Sequence, residues 1–305
     1  MNILVIAEKK QKAQPFIEAI REKNSDAKYI RVSKITLVSK QNETLIKVMG
    51  QEIPNYDAVF IQVRASLTPF IEPLLDEFQN QQIYTTAKKG AYFIAHNEPY
   101  QFVTLSTAEI PSPKTFSSGS IKNIEKISKK ISYPLMAKTF IGKKVQQALI
   151  VNNSKELNIF IKSIKTEIDG FMLREYIEAD AISCAVIGKK VYAIRRKNHE
   201  GTIAELNEGE SYKVTENEEK TALAAAHACG FDIARVDLAK GRVVKIDPLI
   251  PIEEFNKICS ERLEEHVANF LIEKAEQHEN KRKVTYDLFG LKKILSKTIF
   301  GRLFK

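Results

Sequence analysis

Two near-continuous apolar runs, NILVIAE (residues 2–8) and YDAVFIQVR (residues 56–64), constrain this chain more than any other feature. A strand with one wet face alternates polar and apolar residues. A run that is apolar at successive positions has both faces covered, as in a parallel sheet flanked by helices. Between the runs, residues 11–23 carry Phe16, Ile17 and Ile20 at helical spacing, and AKYIRV and TLIKVMG read as strands. After the second run, LTPFIEPLLDEF reads as a helix with a proline near its start. This order predicts a small α/β domain over residues 1–92.

From residue 93 the pattern changes. A helix near Pro99–Ala108 leads into the extended segment IPSPKT, then a lysine-rich helix over 120–132 and the strand YPLMAKTF. NSKELNIFIKSI reads as a helix with an asparagine cap. The strands GFMLREYI, AISCAVIG and KKVYAIRRK follow, then a polar stretch over 198–214. TENEEKTALAAAHACG reads as a capped helix ended by Gly230, and FDIARVDLAKGRVVKID as a hairpin. We divide this region into 93–172 and 173–278, with a separate tail over 279–305.

The 305 residues suffice for two or three domains. No apolar run reaches the ~18 residues of a membrane span, and the quickly charged N-terminus MNILVIAEKK reads as a buried strand rather than a signal peptide. Cys184, Cys229 and Cys259 are odd in number and lack paired metal spacing. They read as reduced thiols of a cytoplasmic protein. His227 reads as a packed core group rather than a ligand. The net charge of +9 is uneven. Residues 281–305 hold eight lysines and arginines and one acid, which leaves 39 basic and 37 acidic residues, a net +2, in the first 280. The overall basicity therefore gives the body no footprint for nucleic acid.

The segments PLMAK, LREYIEAD, VIGKKVYAIRRK and ACGFDIARVDLAKG, in this order, resemble the RimK-type ATP-grasp ligases over about residues 1–275. The resemblance implies an ATP-grasp fold of mixed α/β (α+β) class with an N-terminal pre-ATP-grasp domain. It implies an ATP- and magnesium-dependent ligase that joins an amine, such as that of glutamate, to a protein or small-molecule carboxylate through an acylphosphate. It leaves the catalytic residues unidentified.

Residue by residue, Lys138 matches a lysine that reaches an ATP phosphate, a role suited to a point charge; the alternative is a strand-end lysine in solvent. Glu175, Tyr176 and Ile177 match a linker whose backbone holds the adenine edge. Glu178 or Asp180 would accept from the ribose hydroxyls, or be solvated loop acids. Asp237 matches the first magnesium ligand. If Ala239, Lys240 and Gly241 form a three-residue turn, Lys245 and Asp247 share a face with Asp237.

The sequence departs from the family at the metal. The pattern glutamate–x–asparagine is here Lys245–Ile246–Asp247. An ammonium ~4 Å from Mg²⁺ is repelled by roughly 8 kcal/mol at an effective dielectric of 20. Either Lys245 swings away, or it loses its proton, or no metal binds in the usual way, or its ammonium replaces one magnesium. The glycine-rich phosphate loop is reduced to TFIGKKVQQAL, with Gly142 alone and Lys143 and Lys144 beside it. Glu98 stands where the family carries a further lysine. Ala181, Ser183, Ala204 and Leu206 stand at other polar family positions, while Glu200 and Gly201 persist. Two readings stand: an altered ligase, or a catalytically impaired ATP-grasp scaffold for nucleotide, protein or RNA. In the tail, Leu288, Leu291, Leu295 and Ile299 recur at helical spacing among basic residues. Such a helix suits an anionic membrane, a partner groove or RNA, or packs on its own protein.

Overall fold

The computed structural model describes residues 1–280 apart from 143, 165–166 and 200–201. The expectations for Lys143, for Glu200 with Gly201 and for the 281–305 tail lie outside the described residues. Two compact units form, one from Met1–Val63, Pro73–Thr86 and the described residues from Glu264 to 280, the other from Arg64–Glu72 and Ala87–Leu263.

In the first unit the strands Asp26–Arg31, Asn2–Ala7, Ala58–Gln62 and Tyr84–Thr85 form a parallel sheet in that order. Ile3, Leu4, Val5 and Ile6 are fully buried, as the run of apolar residues requires. The helix Lys10–Arg21 buries Phe16, Ile17 and Ile20, and the Phe16 ring meets Phe60 edge-on at 5.0 Å. The strands Ile35–Lys40, Glu43–Val48 and Gln51–Glu52 make a small antiparallel meander. In the closing helix over 263–280, Leu271 and Ala275 are buried, and the Phe270 ring meets that of Tyr84 at 6.5 Å.

The second unit holds two antiparallel sheets. The first runs Lys144–Val151, Leu135–Ile141, Gly170–Glu175, Thr115–Ser118. One face packs Leu135, Ala137, Phe171 and Leu173 against Leu157 and Phe160 of the Ser154–Ser163 helix. Asn153 caps that helix by accepting from the Glu156 N–H. Strand alternation leaves Lys138, Phe140 and Arg174 on the opposite face. The second sheet runs Glu210–Tyr212, Lys190–Arg196, Ala181–Ile187, Ile233–Ala239, Arg242–Asp247. The Glu216–Ala228 helix packs against its Ile233–Ala239 strand, opened by a capping box at Thr215 and Glu218.

Two expectations fail here. The lysine-rich helix over 120–132 shrinks to a 3₁₀ turn at Ile121–Asn123 and a helix Ile124–Ser128. Ile131 joins the core of the first sheet, and Tyr133, next to Pro134, is steered away from helix. His227 is exposed rather than packed in the core. The helix period turns Ala222, Ala225 and Ala226 inward instead.

Candidate functional site

The hairpin that carries Asp237 closes through Lys240 and Gly241, both at positive φ (48° and 70°). This is a two-residue turn, not the three-residue turn expected, and it pairs Ala239 with Arg242 and Leu238 with Val243. An uninterrupted ladder would put Asp237 and Lys245 on opposite faces. A bulge at Val244 shifts the register, so that Asp237 pairs with Lys245 and Arg235 with Asp247. The expected shared face is reached by a different route. Neighbouring strands add to it: Ser183 pairs with Asp237 and with Ile194, which places Arg196 two residues along on the same side.

Asp237 meets one hydrogen-bond donor and two guanidinium groups in this arrangement. Ser183 Oγ donates to Asp237 Oδ1 at 2.6 Å, Arg235 Nε lies 3.5 Å from Oδ1, and Arg196 Nη2 lies 3.5 Å from Oδ2. Asp247 is held likewise. Its Oδ2 lies 3.2 Å from Lys245 Nζ and 3.3 Å from Arg235 Nη2, and its Oδ1 accepts from the Leu249 N–H at 3.0 Å. Burial alone would push the Asp247 carboxyl up; Lys245, Arg235 and the Leu249 N–H outweigh it and hold the group below the usual carboxylate range. Among the described residues no cluster of three or more histidine, cysteine or acidic side chains is arranged to hold a metal ion. Two carboxylates neutralised by two arginines and a lysine do not fit a magnesium ion.

Lys138 meets Glu98 with both carboxylate oxygens at 2.7 Å. Arg174 Nη1 donates to Glu98 Oε1 and to the Val244 carbonyl, each at 3.0 Å, and its guanidinium lies over the Phe102 ring at 5.0 Å. Burial lowers the affinity of the Lys138 ammonium for its proton. Glu98 pulls it back up, and Arg174 and Lys245 push it down. Gln101 fastens the Glu98–Thr107 helix to the hairpin by exchanging two 3.0 Å hydrogen bonds with the Ile246 backbone.

These groups line one cavity of about 470 Å³, with Lys138, Phe140 and Arg174 on one wall and Arg196, Asp237 and Lys245 on another. Among the described residues the Nε–H groups of Arg174 and Arg196 are buried and lack a hydrogen-bond partner. An orphaned guanidinium donor in a cavity rich in cations fits a phosphate group. Most of the segment expected as a phosphate loop lies instead in two strands, Leu135–Ile141 and Lys144–Val151.

The other expected residues lie along the linker. The Glu175 N–H donates to the Lys114 carbonyl, and its carboxylate accepts from Arg242 at 2.8 Å. The Tyr176 N–H donates to the Pro134 carbonyl, and its hydroxyl accepts from Asn198 at 3.0 Å. Ile177 is buried and Glu178 exposed. Asp180 accepts from the Asn198 N–H at 3.1 Å and from Lys197 at 3.2 Å, and its carboxyl sits below the usual range, chiefly through the Asn198 N–H. Lys138, Asp237 and Lys245 thus share a cavity, whose lining includes neither Asp247 nor the linker residues. The sequence reading missed Arg174, Arg196 and Arg235 as site members, and took Ser183 and Glu98 only as departures.

Comparison with known proteins gives a consistent picture. The RimK pre-ATP-grasp domain matches residues 1–91 and the RimK-like ATP-grasp domain residues 95–246. A probable alpha-L-glutamate ligase of Vibrio atlanticus is 24% identical over 254 residues, covering 79% of this chain and 84% of that protein. A probable alpha-L-glutamate ligase 1 of Shewanella denitrificans is 24% identical over 303 residues, 93% of this chain and 100% of that protein. The ATP-grasp ligase PsnB, solved with a minimal precursor, Mg and ADP, superimposes with a TM-score of 0.68 at 13% identity, over 90% of this chain and 97% of that one.

Proposed function

The chain belongs to the RimK-like ATP-grasp family, and from that premise we propose that it binds a nucleotide without running the metal-bridged acylphosphate chemistry of a carboxylate–amine ligase. Lys138 meets a phosphate, the linker Glu175, Tyr176 and Ile177 takes the adenine edge through backbone groups other than the Glu175 and Tyr176 N–H, which are bonded within the protein, and Glu178, the exposed acid of the linker, faces the ribose more readily than the engaged Asp180. The observation that carries this reading is the state of Asp237 and Asp247. Each is ion-paired to Arg235, and Lys245 stands on Asp247. Phosphoryl transfer from ATP to a carboxylate, with ADP leaving, and attack of an amine on the resulting acylphosphate, with phosphate leaving, need the developing charge stabilised by a metal bridge or an equivalent set of aimed donors. Here the groups that would carry the bridge are already neutralised.

The competing reading is an altered ligase, with glutamate as the amine and a protein, peptide or small-molecule carboxylate as its partner. The family and the names of the relatives favour it. It requires Lys245 and Arg235 to release both carboxylates. One experiment separates the two: ATP turnover with Mg²⁺ and a panel of amino acids, beside thermal shifts with ADP and ATP. A nucleotide shift without turnover is expected. Magnesium-dependent ADP formation abolished by Asp237→Ala overturns the non-catalytic reading. Absence of any shift at millimolar nucleotide removes the nucleotide site itself. A cytoplasmic location is supported by the three unpaired cysteines. Contact of the 281–305 segment with an anionic membrane or RNA is supported by its eight basic residues.

A further inference from the structure

Among its described lining residues the cavity carries more positive than negative charge. Lys138, Arg174, Arg196 and Lys245 face Glu98 and Asp237, an excess of two positive charges. Glu98 accepts three hydrogen bonds, and Asp237 is held by Ser183 and two arginines. The cations are held less closely. Among the described residues Arg196 meets the Ala204 carbonyl and Asp237 at 3.5 Å, and its buried Nε–H has no hydrogen-bond partner. The Lys245 side chain, though 3.2 Å from Asp247 Oδ2, is still 55% exposed at the cavity rim. A buried donor without a partner is costly, and an oxyanion is the ligand that removes the cost.

We infer that this cavity takes the phosphate groups of a di- or triphosphate directly on Arg196 and Lys245, with no divalent cation between protein and ligand. The inference rests on the nucleotide-binding reading and names how that site holds its ligand. A single carboxylate leaves the charge excess unbalanced, whereas a diphosphate or longer chain offsets it. The planar guanidinium suits two phosphate oxygens at once, and the lysine adds a compact point charge. A divalent cation, by contrast, meets four positive side chains and two carboxylates that are already paired. Magnesium chelated to the polyphosphate also cancels two of its charges. The metal should therefore leave the affinity unchanged or lower it.

The test is calorimetric titration of the full chain with ADP, ATP and inorganic triphosphate, first in EDTA and then in excess Mg²⁺. Expected are binding of ATP and triphosphate in EDTA, no gain with Mg²⁺, and a loss of about tenfold or more in EDTA for Lys245→Ala and for Arg196→Gln. Lys245 is exposed enough that its variant should fold normally, which circular dichroism and ligand-free melting check. Lys245→Glu should weaken binding in EDTA and make Mg²⁺ favourable. Binding of ATP only with Mg²⁺ overturns the inference and leaves the nucleotide site standing. ATP binding that neither variant weakens overturns it too, because the phosphates then lie elsewhere. No ATP binding in either condition overturns both.

Discussion

Both carboxylate oxygens of Glu98 lie 2.7 Å from the Nζ of Lys138, so a carboxylate of the protein itself holds the lysine expected to meet a phosphate. The same carboxylate takes Arg174 at 3.0 Å. With side-chain exposures of 17% and 11%, the two cations gain little help from water. Glu98 is at once their stabiliser and a competitor for any anion that approaches them.

Glu98→Gln should therefore act in two directions. It leaves two largely buried cations without a counter-charge, which should cost about 3 kcal/mol of stability. It also frees Lys138 and Arg174 for an external anion, so ATP affinity should rise by about tenfold. Chemical denaturation reads the first effect and calorimetry the second. Loss of stability with unchanged or weaker ATP binding would show that Glu98 does not compete with the ligand.

Asp237→Ala should destabilise the fold whether or not magnesium is present. The aspartate is 7% exposed at its side chain and receives Ser183, Arg196 and Arg235. Its removal should cost about 3 kcal/mol, and Ser183→Ala about 1 kcal/mol. Melting in EDTA and in Mg²⁺ checks this. Equal losses in both fit a structural ion cluster, and a loss seen only with Mg²⁺ would mean that Asp237 holds metal in solution.

Part of the cavity lining could be read from the sequence because side chains alternate along a strand. Lys138 reaches the cavity because its strand alternates as written, and the buried runs at Asn2–Ala7 and Ala58–Gln62 announced the parallel sheet. The hairpin shows the limit. Its turn length was misjudged by one residue, and only a bulge at Val244, which no local propensity marks, restored the expected face. Arg174 and Arg196 were missed because an arginine within a strand reads as a surface residue until its neighbours are known. A usable sign was the alternation in ARVD, which puts Arg235 and Asp237 on one side. Glu98 sits 40 residues from Lys138 along the chain, and no periodicity connects a helix start to a strand at that distance.

Lys245→Ala should make the protein less resistant to acid. The folded Asp247 carboxyl lies below the usual range, so its contribution is fully present above the unfolded carboxyl value of ~3.9 and is lost as pH falls through the lower folded value. Removing Lys245 takes away one of the charges that hold the value down. The folded value then moves up toward the unfolded one, the contribution shrinks, and the acid unfolding midpoint moves to higher pH. Lys245 is 55% exposed, so solvent screening keeps the movement to a fraction of a pH unit. Fluorescence-detected acid titration of the two proteins, with Asp247→Asn as a control that should lack the Lys245 effect, decides it.

Truncation after residue 280 should remove almost all the excess charge, since the net charge of the first 280 residues is +2 against +9 for the whole chain. Near an anionic membrane each basic residue contributes up to about 1 kcal/mol, screened within a Debye length of ~8 Å at physiological salt. Eight such residues, even with half poorly placed, suffice for measurable attachment. The full chain should therefore sediment with vesicles containing phosphatidylserine at low salt, lose that attachment steeply as salt rises, and lose it entirely on truncation. The ATP-induced melting shift should survive truncation, because Lys138, Arg196 and Lys245 all belong to the unit that ends at Leu263. Retention on RNA but not on vesicles would assign the same charge to a nucleic-acid partner. A truncated chain that melts far below the full one would instead make the segment part of the packed fold, and the reading of it as a surface anchor would fall.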